Sequence, residues 1–292
     1  MPQKHTSNIL ASSRQHPAYW LDDGTLIVHV GDSAFKVYDT LPQQSTVLAS
    51  LPRWTEQDVP AIQIPDHLAV QRADFEALLD HLYNKIPIGD HTPFPRVAAV
   101  LRISSERQLN IPAINATARK RLMELYPQSL DDITMHIDHA DLALDLAVQY
   151  NVAPILRGLY YQVATGSHLD DDDGGVEEAQ MNALAHLPQE VSQRCTTLLD
   201  ELIAHFTPIL FTVATANHMA CTDVFAELWM PLVIQPAIEN NGLSKPIETL
   251  QAIIDMDWSS HGLCEECVQD KREEWKEEQR VVWNKLGDWI VE

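Results

Sequence analysis

The sequence predicts an α+β fold that continues into an all-α region, and three observations point there. Strand-like pieces are confined to the first third of the chain, and from residue 68 onward the apolar period is mostly helical. At 292 residues with 45% hydrophobic content, the chain is also long for one compact unit, so two domains are expected.

The strands begin in "LDDGTLIVHVGDSAFKVY", residues 21–38. Leu26, Val28 and Val30 share one face of Thr25 to Val30, and Phe35 and Val37 share one face of Ala34 to Tyr38. Gly31-Asp32 joins the two as a hairpin turn. His29 points away from Val28 and Val30, so a partly exposed cross-strand place is expected for it. "AIQIP", around Ile62, reads as a third short strand.

The helices follow in order. "LAVQRADFEALLDHLYNKIP" spaces Phe75, Leu78, Leu79 and Leu82 so that one face is apolar. "PRVAAVLRISSERQLNIPAINATARKRLMELYP" reads as two helices broken near Asn110, with Pro112 suited to the first turn of the second. After "YPQSLDDITMHID", where Pro127 and clustered polar residues interrupt the period, "ADLALDLAVQYNVAPILRGLYYQVAT" repeats the device with Pro154. At the end Val268, Trp275, Val282, Leu286 and Trp289 form the apolar stripe of an amphipathic helix over residues 268–291. Five such positions fall short of sustained heptads, so docking onto the protein's own helical region is preferred over a coiled coil or a partner.

At these residues the chain resembles a BTB/POZ domain of the type found in many fungal proteins. Members place an acidic residue before the first strand, a Phe opening the second, a helix leading to a Ser that packs its end, a third strand ending in Asp, and a Leu-Tyr pair closing a helix. Those positions are Asp23, Phe35, Ser45, Asp66 and Leu82-Tyr83. The resemblance spans residues 17–126 and implies a mixed sheet capped by helices, with residues 127–292 as a helical extension. Tyr38 stands where the animal family usually has His, and Pro42 shortens the helix that follows. "ILASSRQHP", Ser-rich and closed by Pro17, does not read as the long N-terminal helix that many dimeric members exchange.

Composition narrows the partners. Twenty Lys and Arg against 42 Asp and Glu leave a net charge of −22, which argues against general affinity for nucleic acid or anionic membrane. The four cysteines do not make a disulfide framework, and "MPQKHTSN" lacks the apolar core of a signal peptide. A reducing compartment, cytoplasmic or nuclear, is expected. No G-x-G-x-x-G, G-x-x-x-x-G-K-[ST] or G-x-S-x-G occurs, so the usual dinucleotide, P-loop and serine-hydrolase footholds are missing.

Three stretches invite a metal reading. "HLDDDDGGVEEA", inside an acidic loop at 167–179, fails as a calcium loop because Met181 falls at the twelfth position, where a bidentate Glu is needed. "HIDHADLALD" holds His136 and His139, but it reads first as a helix start that Asp138 or Asp141 caps. The third joins two distant pieces, "NHMAC" with His218 and Cys221, and "HGLCEEC" with His261, Cys264 and Cys267. Zinc takes four soft or borderline ligands in a tetrahedron, and a two-residue spacer lets one turn present both side chains. A structural zinc held by Cys221, Cys264, Cys267 and a His, with His218 the favoured one, stands beside the plainer reading of buried, reduced thiols packing as small apolar groups.

The expected function is a non-catalytic, intracellular protein–protein interaction module that recruits proteins or self-associates. The wider family implies the alternative, a substrate-recruiting adaptor of a cullin-type ubiquitin ligase. For either, Trp54 and Glu56 in "SLPRWTEQDVPAIQIPD" are the candidate partner-binding residues, Trp54 either packing on the sheet's edge or anchoring a partner.

Overall fold

A computed structural model describes residues 13–133, 137–166, 184 and 186–291. The chain divides into two compact units, residues 1–125 and 126–292. The expected acidic loop at 167–179 and His136 lie outside the described residues. No helix among the described residues is long and apolar enough to cross a membrane.

The first unit is built on a mixed five-stranded sheet, with β1 Arg14–Trp20, β2 Leu26–Val30, β3 Ser33–Val37, β4 Trp54–Glu56 and β5 Val59–Gln63 in the order β1-β3-β2-β5-β4. The hairpin β2–β3 is antiparallel, pairing Val28 with Phe35, and turns at Gly31, whose φ of +52° suits glycine. β5 lies parallel to β2, and β4 pairs back on β5 through a turn whose residues Gln57 and Asp58 both have positive φ.

Three of these strands match the expected ones, and two correct the expectation. β1 runs through Pro17 as a parallel edge strand beside β3, so the sheet begins ahead of residue 17. A proline is tolerated there because the outer side of an edge strand needs no amide donor, and the register shifts between Gln15 and Trp20. Its two inward side chains are tied by polar bonds. His16 Nε2 lies 2.8 Å from Glu76 and stacks on Phe35, while the Tyr19 hydroxyl donates to Asp80.

Short helices α1 Leu41–Gln44 and α2 Thr46–Ser50 cross to the far side of the hairpin. Ser45 sits between them, buried. Its oxygen accepts from Leu48 N–H at 3.1 Å, capping α2, while its hydroxyl donates to the Leu109 carbonyl. Helices α3 Arg72–Leu82, α4 Phe94–Ser104 and α5 Pro112–Leu125 complete the unit. Phe35 meets Phe75 of α3 edge to face at 4.8 Å, and buried Asp74 takes both arms of Arg102 at 2.7 and 2.9 Å. The break between α4 and α5 falls where expected, with Asn110 at φ +49°.

The second unit is helical throughout its described length: α6 Ala140–Gln149, α7 Ala153–Gly166, α8 Gln189–Phe211, α9 Met219–Trp229, a π-helical turn Met230–Ile234, α10 Gln235–Glu239, α11 Pro246–Asp255 and α12 Glu265–Val291. At the start of α6 the cap position belongs to His139, whose side chain makes no capping bond, rather than to Asp138 or Asp141. Buried Tyr161 of α7 donates to Glu248 and accepts from Ile247 N–H, fixing α11. α12 starts three residues before the expected 268 and lies on its own unit, with Val268, Trp275, Val282 and Leu286 buried. Arg272 donates to the Ile254 and Met256 carbonyls, and Gln279 to that of Ile247.

Candidate metal centre

The core of the second unit is aromatic. Phe225, Trp229, Trp258 and Trp275 pack with ring centroids 5.0 to 6.3 Å apart, and Cys221 and Cys267 belong to the same buried cluster. Two of these tryptophans use their indole donors within the core, Trp229 Nε1–H on the Leu210 carbonyl and Trp258 Nε1–H on that of Ile253.

Two helix N-termini open at the edge of this cluster. After α11 the chain drops Trp258 into the core and turns through Gly262 at φ +102°, a conformation that disfavours a side chain. Cys264 follows, and its carbonyl accepts Val268 N–H, so Cys264 is the N-cap of α12 and Cys267 its third residue. His218 is the N-cap of α9, its carbonyl accepting Thr222 N–H, and Cys221 is the third residue of that helix. Thr222 closes the preceding turn by accepting from Ala216 N–H and donating to its carbonyl, and Asn217 reaches Asp270 of α12 at 3.0 Å. The H-x-x-C and C-x-x-C spacings are therefore the same device, a cap residue and the residue one turn on, used at two helix starts.

The four ligand atoms lie within 4.8 Å of one another. His218 Nδ1 is 3.1 Å from Cys264 Sγ and 3.6 Å from Cys267 Sγ, and Cys221 Sγ is 3.7 Å from Cys264 Sγ. A tetrahedral zinc with Zn–S bonds of about 2.3 Å and Zn–N bonds of about 2.05 Å has edges of about 3.8 Å between sulfurs and about 3.6 Å between nitrogen and sulfur. The His218–Cys267 and Cys221–Cys264 distances match those edges, His218–Cys264 is about half an ångström short of its edge, and no pair of the four is more than 4.8 Å apart, about an ångström beyond a zinc edge. Three thiols and an imidazole are the soft, borderline set that suits zinc and not the oxygen-seeking ions.

The surroundings favour thiolate at Cys264. Cys267 N–H donates to Cys264 Sγ and, with the His218 ring and the Cys267 side chain, brings the Cys264 thiol down from 9.0 to about 7. At Cys267 the His218 main-chain amide pulls the other way, but burial and the neighbouring thiols push that thiol up on balance. His218 is raised by its bond to Cys264. Positive helix ends supply the favourable field, in the manner of an anion at a helix N-terminus.

All four favoured ligands are brought together. His261 is not among them and lies beside the Trp258 ring at 6.5 Å. Cys195 stands apart in α8, where burial pushes its thiol up to about 12.

The candidate partner-binding pair lies in the first unit, on edge strand β4. Trp54 is half-buried on the sheet's edge, its ring 5.7 Å from that of His29, and Glu56 Oε2 lies 2.8 Å from His29 Nε2. This overturns the expected exposure of His29, which is 1% exposed because β4 closes over it. The signal was weak, since the His29 partner sits 27 residues away on a three-residue strand.

No family model, curated protein or solved structure matches the chain.

Proposed function

We propose that the chain is a non-catalytic protein–protein interaction module, a BTB/POZ-like unit followed by a helical extension that a structural zinc ion closes. The observation that carries the interaction reading is the path of the first unit. A hairpin leads through a Ser45-capped helix pair to a strand parallel to β2, and then to α3, α4 and α5. The residues of the resemblance have structural work along that path. Phe35 is buried against Phe75, Asp23 accepts from the Tyr38 hydroxyl, and the Tyr83 hydroxyl accepts from Tyr38 N–H. Asp66 opens the turn after β5.

In this reading zinc is held by His218 Nδ1 and the sulfurs of Cys221, Cys264 and Cys267, and ties the start of α9 to the start of α12. The ion is a structural staple with all four positions taken by protein, leaving no open position for chemistry.

The test of the interaction reading is reciprocal co-purification of the full chain from its native cell, with light scattering on the pure protein. A stoichiometric protein partner or a defined self-assembly is expected. A strict monomer that brings down no stoichiometric partner would overturn it.

A further inference from the structure

Solvent reaches the four ligands unequally. Cys221 and Cys267 are 4% and 1% exposed, whereas Cys264 is half-buried. Cys264 is also the hub of the cluster, within contact of His218 and of Cys221 and accepting the Cys267 amide. One reachable sulfur thus stands against a covered sulfur from a different helix. From this geometry we infer that the centre is an oxidant-exchanged staple, in which hydrogen peroxide oxidises Cys264, Cys221 closes a disulfide with it, and the zinc leaves. The inference rests on the zinc reading above and adds its regulation.

The chemistry balances without a further reagent. The Cys264 thiolate attacks a peroxide oxygen, and an S–O bond forms as the O–O bond breaks. Hydroxide leaves and takes a proton from solvent. The Cys221 thiolate then attacks the Cys264 sulfur, the S–S bond forms as the S–O bond breaks, and a second hydroxide leaves as water. Two thiolates lose two electrons and the peroxide gains them. Cys267 and His218 alone are too few for a closed tetrahedral site, so the ion departs.

Cys221 is the closing thiol because of where the two covered sulfurs are held. Cys221 Sγ faces Cys264 Sγ at 3.7 Å, and side-chain rotation closes that distance. Cys267 Sγ also neighbours Cys264 and lies 3.6 Å from the His218 ring, but it belongs to the same helix start as Cys264, whereas Cys221 comes from the start of α9. The consequence is mechanical. A Cys221–Cys264 bond keeps a covalent link between the starts of α9 and α12 after the metal has gone, whereas a bond between Cys264 and Cys267 would leave the two helix starts held by packing alone.

The experiment uses the full chain loaded with zinc and treated with hydrogen peroxide in the absence of reductant. Released metal is read with a chromogenic zinc indicator, and disulfides are mapped by peptide mass spectrometry after blocking free thiols. Expected are about one zinc released per disulfide formed, a Cys221–Cys264 link, Cys195 still free, and an oxidised protein that melts above the reduced, chelated one. Cys221→His retains four zinc-type ligands but lacks the closing thiol, and should hold its zinc through the same dose. A chain that binds no zinc sinks the zinc reading itself. A zinc-loaded chain that keeps its metal under peroxide, a disulfide that joins Cys264 to Cys267, or a Cys221→His variant that releases zinc as wild type does, sinks the exchange and leaves the zinc reading standing.

Discussion

The ring Nδ1 of His218 lies 3.6 Å from the sulfur of Cys267, 49 positions further along the chain. The His218 main-chain amide favours the Cys267 thiolate across the two helix starts, as the Cys267 amide favours that of Cys264 within its own turn, although burial and the neighbouring thiols raise Cys267 on balance. Such amide–sulfur bonds orient and stabilise thiolates before any metal arrives, the role of outer-shell partners at metal sites. The two helix starts are consequently one structural object.

Removing the metal tests that unity. The purified chain should carry about one equivalent of zinc, and a strong chelator should lower its melting temperature and its helical signal, because ligand bonds contribute directly to folding. Cys264→Ser and His218→Ala should each lose the metal and bring the melting temperature down to that of the chelated wild type. Metal analysis showing none, with Cys264→Ser melting at the wild-type temperature, would sink the idea.

Acid should weaken the centre in a defined window. The folded Cys264 thiol lies near 7, below its ordinary 9.0, so its thiolate favours the metal-free fold fully above about 9 and that contribution is lost as pH falls through about 7. In chelated, reduced protein, the alkylation rate at Cys264 should therefore rise with a midpoint near 7, and zinc retention should fall below the same pH as protons compete for the sulfur. A midpoint at 9.0 would show that the helix-start hydrogen bonds do not act on this thiol.

Much of this architecture is legible in the residues, and the exceptions have causes. β2 and β3 announce themselves because alternating apolar residues flank a glycine turn. β1 does not, because its two buried side chains are His16 and Tyr19, polar groups accepted in the core only through Glu76 and Asp80, some sixty residues on. β4 spans three residues, too few to carry a period. The C-x-x-C pair is visible at once, but its union with His218 and Cys221 depends on Trp258 and Gly262 aiming the α11–α12 turn at α9, which no local pattern encodes.

Ser45 offers a test of the first unit alone. Its side chain caps α2 and donates to the Leu109 carbonyl, so Ser45→Ala removes a helix cap and takes the hydroxyl donor from that carbonyl. A loss of about 2 kcal/mol is expected from urea unfolding, with the sheet's spectral signature retained. Ser45→Thr, which keeps the oxygen, should recover part of it. An unchanged midpoint in Ser45→Ala would show that neither the α2 cap nor the bond to the Leu109 carbonyl stabilises this unit.

Trp54 and Glu56 separate the interaction module from the ligase adaptor. In the adaptor reading both side chains would be free to meet a cullin, yet the Trp54 ring stacks on His29 and the Glu56 carboxylate holds His29 Nε2. His29 Nδ1 already has no hydrogen-bond partner and the ring is buried, so Glu56→Ala leaves both ring nitrogens unpaired. That change should cost about 1–3 kcal/mol of stability. Trp54→Ala, which strips the cover from Ile27, Ala34 and Ala61, should cost about 2 kcal/mol. Both effects are expected in the isolated chain, where no partner is present. In a pull-down with purified cullin, wild type and both variants should bind equally weakly or not at all. Tight cullin binding by wild type, abolished by Trp54→Ala and by Glu56→Ala while urea midpoints stay unchanged, would reverse this ranking. It would mean that β4 presents these two side chains outward to a partner, and the ligase adaptor would then be the leading reading.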